Sequence, residues 1–219
     1  MIKQQFKGMK LSRTKVKNNI ISVFNLCEDR HMNDWYMEAK MWAIGVTSEH
    51  LPMFVTKVPG MDLSAIAPST VNKVVGITAA TSPMKRWEEN QRLVVDFIKN
   101  GKCGHFGSVN EKCQAIMESD GTDTEILDIL SGRKTQRFYM SINYCTSYDG
   151  VTIDRHALSI ALGYRINNET FKTMTKRQYE FFEECYRYAA KSLGITPMLL
   201  QSSTWQVFRE RKHEFPKEK

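Results

Sequence analysis

Two short stretches of the chain set polar, reactive side chains at the starts of predicted helices. The first is Leu130-Ser131-Gly132-Arg133-Lys134-Thr135. A glycine between two helical segments admits backbone conformations closed to other residues, and it lets a phosphate approach the bare amides of the helix that follows. The second is Val151-Thr152-Ile153-Asp154-Arg155-His156-Ala157-Leu158. Its aspartate can cap the helix, the common role of Asp at that place, or serve there as a charged catalytic group. His156 taken alone is more often packed or hydrogen-bonded than catalytic. A third group, Cys103, His105 and Cys113, has the residue types of a zinc site. Its spacing, C-x-H-x7-C, lacks the C-x2-C pair that brings two thiolates onto one metal, so no metal is expected.

Helical periodicity dominates the segments that must position these residues. From Arg86 to Lys99 the apolar set Trp87, Leu93, Val94, Phe97 and Ile98 mostly follows helical steps, with Gly101 as the stop. Thr122 or Asp123 can cap a segment carrying Ile126, Leu127, Ile129 and Leu130; Ser131-Gly132 breaks it, and Lys134 to Tyr144 resumes it. The reading is helix, tight hairpin, helix. Asp149-Gly150 is a turn, and Asp154 precedes a helix from Arg155 to Leu162 that ends at Gly163. Thr175 opens a longer helix closed by Gly194, and Pro197 leads another into the basic end Arg209, Arg211 and Lys212. Residues 46–67 read as an irregular connector. The fold class expected is mostly α.

The 219 residues suit one globular unit with a sizeable core, and 42% apolar and 25% charged residues with 12 Gly and 6 Pro exclude a collagen-like chain. Ile20 to Cys27 is too short and too interrupted by Ser22 and Asn25 to cross a membrane. The odd number of cysteines, 5, at scattered spacings argues for free thiols in a cytosol-like compartment. A net charge of +7 favours a polyanionic partner. Before Glu28 no acidic residue occurs, while Lys3, Lys7, Lys10, Arg13, Lys15 and Lys17 supply positive charge over residues 1–18. That stretch reads as a basic arm able to follow a phosphate backbone, or as a solvated tail.

Taken together, Gly132-Arg133-Lys134-Thr135 and Val151-Thr152-Ile153-Asp154-Arg155-His156 resemble, in order and spacing, the core of the helix-hairpin-helix DNA glycosylase superfamily, which includes endonuclease III-like enzymes and oxoguanine glycosylases. In that family a hairpin ending in Gly-x-Lys-Thr is followed by an extended V-x-V-D-x-H segment that opens a helix. Ile77-Thr78-Ala79-Ala80-Thr81-Ser82-Pro83 with Trp87-Glu88-Glu89-Asn90 is similar to an early S-P-x-x-x-W-x-x-N region of small, phage-type relatives. The likeness covers Gly76 to Gly163. The hairpin is shorter than the family's L-P-G-V-G-x-K and keeps one glycine. The family's iron-sulfur loop is absent, since only Cys185 lies near the C-terminal end.

The resemblance implies a two-lobed helical fold with a cleft between the lobes: residues 70–163 as the helix-hairpin-helix lobe, 19–69 and 164–219 as the other. It implies a cofactor-free enzyme, a monomer, acting on double-stranded DNA with a flipped base in the cytoplasm, nucleoid or a phage-infected host. Asp154 would stabilise the positive charge developing on the sugar or orient the nucleophile. Lys134 would attack C1′ as an amine, or else meet a phosphate. Gly132, Arg133, Thr135, Arg155 and His156 would contact DNA. A turn over Cys145 to Ile153 is long enough to bring Lys134 and Asp154 to one cleft. Trp35, Trp42, Trp87 and Trp205 are open to either base stacking or core packing. The base excised stays open among damaged purines, oxidised pyrimidines and hypermodified thymines; the competing readings are a non-catalytic helix-hairpin-helix DNA-binding protein and a helical protein-interaction module whose basic surface is incidental.

Overall fold

The computed structural model of the chain describes residues 11–32, 34–51, 55–57, 64–166 and 174–217. The protein is mostly helical. The helices are α1 (Arg13–Phe24), α2 (Trp35–His50), α3 (Pro68–Thr81), α4 (Trp87–Asn100), α5 (Gly107–Glu118), α6 (Asp123–Leu130), α7 (Arg133–Asn143), α8 (Arg155–Leu162), α9 (Lys176–Leu193) and α10 (Pro197–Glu210). Two short strands, β1 (Val55–Lys57) and β2 (Ser64–Ile66), pair antiparallel with Val55 opposite Ile66. The expected connector over 46–67 is therefore corrected at both ends: Val46 to His50 continue α2, and part of the rest pairs as strands. Among the described residues no helix is long and apolar enough to cross a membrane.

The helix ends follow the local chemistry of the sequence. Thr122 accepts from the Glu125 amide and Glu125 reaches back to the Thr122 amide, a reciprocal cap that starts α6. Thr175 and Gln178 do the same for α9, and Thr196 caps α10. Gly101, Gly163 and Gly194 close α4, α8 and α9 in the left-handed conformation.

The chain divides into two compact units. The first joins Met1–Tyr36 to Ser147–Lys219, and the second is Met37–Thr146. This corrects the boundaries expected from sequence. The segment that opens α8 belongs with the ends of the chain and not with the hairpin, because α8 packs on α1 and α10.

In the first unit α1, α8, α9 and α10 bury Val16, Ile20, Leu158, Ile160, Phe182, Tyr186, Leu200 and Phe208 in one core. Burial of Val16 and Ile20 also shortens the expected basic arm. Arg13, Lys15 and Lys17 are on α1, capped by Ser12, while Lys3, Lys7 and Lys10 lie outside the described residues. A short 3-10 turn at Asp29–His31 is fastened to the end of α10. Arg30 donates to both oxygens of Glu210 at 2.7 and 2.8 Å, and His31 Nε2 donates to it at 3.0 Å. His31 Nδ1 accepts from the Glu28 amide, which leaves Nε2 as the donor.

The second unit is built around α3, which packs against α4, α5, α6 and α7. Every residue from Val74 to Thr81 is buried. Gly76 faces Ile116 and Ile126 so closely that a Cβ there would lie 2.9 Å from Ile126 Cγ2. Asn90 is enclosed at the α3–α4 turn, donating to the Thr78 carbonyl at 3.0 Å and accepting from Thr81 Oγ1 at 2.7 Å. The early Ser82 to Asn90 likeness thus falls on a buried polar lock.

Candidate functional site

In the second unit the hairpin between α6 and α7 turns at Ser131, which takes the left-handed conformation (φ 51°), while Gly132 has φ −98° and caps α7 without a side chain. The glycine is not the residue that makes the turn, contrary to the sequence reading. Thr135 Oγ1 donates back to the Gly132 carbonyl at 2.7 Å, and Gln136 Nε2 to the Leu127 carbonyl at 2.7 Å. The second bond satisfies a carbonyl in the last turn of α6, and the two together fix the approach of α7. Thr135 is thereby turned inward, toward the hairpin itself. The first turn of α7 holds no acidic side chain, and the amides of Lys134 and Thr135 have no partner among the described residues. Lys134 is half-buried and its amine makes no hydrogen bond or ion pair there. Bare amides beside Arg133 and Lys134 suit an anion.

Asp154 belongs to the first unit and the hairpin to the second. Three side chains of α9, spaced so that they share one face, hold the segment leading to it. Tyr179 accepts from the Ile153 amide at 2.8 Å and donates to the Val151 carbonyl at 2.9 Å, Glu183 accepts from the Val151 amide at 3.0 Å, and Tyr186 donates to the Ala157 carbonyl at 2.9 Å. All three are buried, and burial pushes the Tyr186 hydroxyl well above its ordinary range. The backbone on both sides of Asp154 is therefore held by rigid groups.

The carboxylate itself caps α8. Oδ1 accepts from the Ala157 amide at 2.7 Å and Oδ2 from Trp205 Nε1 at 3.0 Å. Two further groups meet the Trp205 ring. The Arg209 guanidinium sits 4.6 Å from its centroid, one turn along α10, and the His156 ring is 5.8 Å away. His156 also packs on Phe208 at 5.5 Å. Burial lowers the pKa of His156, opposed by Asp154 and assisted by Lys212, Arg155 and Arg209, so the imidazole stays neutral near pH 7. Among the described residues its buried Nδ1 has no hydrogen-bond partner, and neither has the buried Oγ1 of Thr152. Two orphaned polar atoms thus flank the aspartate along the chain. Arg155 is exposed at the first position of α8.

Of the four tryptophans, the structure places Trp205 at the aspartate. Trp42 and Trp87 pack edge to face at 5.3 Å, and Trp35 does the same with Tyr36 at 5.2 Å. The spacing of Trp205 and Arg209, one helical turn, was the available signal for a stacked pair. Nothing in the sequence tied that pair to Asp154.

The Cys103 and Cys113 side chains hydrogen-bond to each other, but His105 does not join them as a third ligand. His105 Nδ1 accepts from the Phe106 amide at 2.8 Å and Nε2 meets the Pro83 carbonyl at 3.3 Å, while burial pushes the Cys113 thiol up to about 12. Among the described residues no group of three or more His, Cys, Asp or Glu side chains is arranged to hold a metal ion. The five cysteines are free thiols.

No curated protein and no solved structure matches the chain. A family model does, over residues 2–212, and by that match the chain belongs to DUF7178, a family of unknown function.

Proposed function

We propose that the protein is a DNA glycosylase that excises a damaged or modified base flipped from the duplex, with β-elimination at the abasic site as a second step. The observation that carries this reading is Asp154, a half-buried carboxylate at the start of α8 whose flanking backbone is held by Tyr179, Glu183 and Tyr186. A charge fixed in advance stabilises an oxocarbenium-like sugar without reorganising as the glycosidic bond breaks. Neutral His156, the orphaned Thr152 hydroxyl and the Trp205 face offer a polar and stacking surround for an extruded nucleotide. The bare α7 amides with Arg133 and Lys134 suit a backbone phosphate. The motif order of the hairpin and the aspartate segment supports the same reading.

A second reading draws on a specific observation. Both Asp154 oxygens already accept hydrogen bonds, which is what a purely structural cap and clamp requires. On that reading the protein is a non-catalytic helical DNA-binding protein. A panel of duplexes, each with one lesion or modified base, scored for free base and strand cleavage, separates the two. Base release from one duplex, lost in Asp154→Asn with binding kept, supports the enzyme. Binding to every duplex with no base released from any supports the alternative.

A further inference from the structure

Two thiols are brought together where α4 passes into α5, within the Met37–Thr146 unit. Gly101 ends α4 in the left-handed conformation, and the loop that follows, residues 102–106, closes on Asn110 of α5. One side chain holds that loop. Asn110 Oδ1 accepts from the Cys103 amide at 2.8 Å and from the Cys103 thiol at 3.5 Å, while its Nδ2 donates to the carbonyls of Cys103 at 3.2 Å and His105 at 3.3 Å. Cys113 follows Asn110 by three residues, on the same face of α5, and its thiol donates to the Cys103 sulfur. Sulfurs from a loop and from a helix are thus in contact.

The two thiols are not equivalent. Cys103 keeps 7% of its surface exposed, and Cys113 is fully buried. Burial raises both pKa values, but at Cys103 the His105 amide, its own amide and the Cys113 S–H oppose it, so Cys103 is the thiol that ionises first. A soft cation held by both sulfurs would leave a buried anionic complex, and among the described residues the charged side chain that bears on Cys103 is the acid Asp96. A disulfide leaves no charge. Gly101 and Gly104 flank Cys103; a Cβ at Gly101 would meet nothing within 4 Å, and one at Gly104 would come no nearer than 4.0 Å to Leu93, so the loop has room to draw the sulfurs to bonding distance.

We propose that Cys103 and Cys113 are a modification site, oxidised by hydrogen peroxide to a reversible disulfide, with Cys103 as the attacking sulfur and Cys113 as the resolving one. The Cys103 sulfur bonds to one peroxide oxygen as the O–O bond breaks, giving a sulfenic acid, and the other oxygen takes the thiol proton and leaves as water. The Cys113 sulfur then attacks the sulfenic sulfur, the S–O bond breaks, and that oxygen leaves with the Cys113 proton as a second water. Two thiols give up two electrons and two protons, and the peroxide is reduced to two waters. The product ties residues 102–106 covalently to α5 and removes the S–H that Asn110 accepts. That loop carries His105, which meets the Pro83 carbonyl, and Phe106, which is 64% exposed, so oxidation acts on the surface beside the α3–α4 turn. The site stands whether or not the protein excises bases.

The test uses the full chain, reduced and then exposed to a slight excess of hydrogen peroxide, with remaining thiols capped by N-ethylmaleimide before digestion and mass mapping. The Cys103 and Cys113 peptides should be joined, and dithiothreitol should separate them. Linkage is expected to run about ten times faster than oxidation of Cys27, a half-buried single thiol that burial pushes up to about 11. Cys113→Ser should halt the reaction at Cys103, where dimedone traps the sulfenic acid, and Cys103→Ser should leave Cys113 a thiol. The wild-type map needs neither variant to fold. Capped thiols at both Cys103 and Cys113 while Cys27 is oxidised overturn the proposal, as does Cys113 joined to any other cysteine. A folded Cys113→Ser protein in which dimedone finds no sulfenic acid at Cys103 overturns the assignment of the attacking sulfur.

Discussion

The bond between Asp154 and Trp205 is the link that ties α10 to the start of α8, and its strength can be measured. Trp205→Phe removes the Nε1 donor while leaving an aromatic ring for Arg209 and His156. A hydrogen bond to a charged acceptor contributes about 1.5–3 kcal/mol when both groups are shielded. Asp154 and Trp205 are both partly exposed, so water replaces much of the lost partner and the expected contribution falls to about 1 kcal/mol. Asp154→Ala loses this bond and also the cap on the Ala157 amide, a further ~1 kcal/mol, for a total near 2 kcal/mol. The double variant should therefore cost about 1 kcal/mol less than the sum of the singles. Urea denaturation followed by circular dichroism, with all four proteins sharing one slope, gives that coupling directly. A coupling below about 0.3 kcal/mol would refute the clamp between α10 and the start of α8.

Four other outcomes follow from features of the chain. Arg30, and after it His31, hold the Glu210 carboxyl down to about 2 from an ordinary 4.5; a depressed folded value means stability present above about pH 4.5 and lost as pH falls toward 2. Glu210→Gln should flatten that acid limb in thermal melts between pH 5 and 2, and added salt should weaken the effect because the pair is exposed. Gly121 has φ +76° and a Cβ would run into the Ser69 carbonyl, so Gly121→Ala should cost about 3 kcal/mol in urea, whereas Ser131→Gly should gain a few tenths by relieving a left-handed serine. A loss under about 1 kcal/mol at Gly121 contradicts the close approach. Replacing Lys3, Lys7 and Lys10 by Gln, which spares the buried face of α1, should lower the salt slope of DNA binding by roughly 2 to 3; an unchanged slope removes the arm as a phosphate contact.

Where the sequence could be read, the signal was local. Helices α4, α6, α7, α8, α9 and α10 are each marked by a cap, a glycine stop or a one-sided apolar stripe, and the structure ends them there. Helix α3 offers no such contrast, because helices pack on it from several sides and residues 74–81 are all buried. Helix α2 is apolar around most of its circumference, from Trp35 through Met41 to Val46, which hides its period. The aspartate and the hairpin were visible because their motifs are continuous in the chain. Trp205 was not, since its partner lies 51 residues away. Pairings of that kind are decided by packing and leave no periodic trace.

The first unit is interrupted by the whole of the second, and this orders events during synthesis. Helix α1 leaves the ribosome with Val16, Ile20 and Val23 uncovered, while α8, α9 and α10, which will cover them, are encoded after residue 146. At about 5–20 residues per second, the roughly 130 residues between Phe24 and Arg155 take about 7 to 26 s. Throughout that interval the apolar stripe of α1 is exposed on a nascent chain, whereas the inserted segment, being continuous, has all of its own partners as soon as residue 146 is made. The N-terminal helix is thus the part of this protein most dependent on chaperone shielding, and slowing translation downstream of residue 146 should raise the fraction lost to aggregation more than an equal delay within residues 1–36.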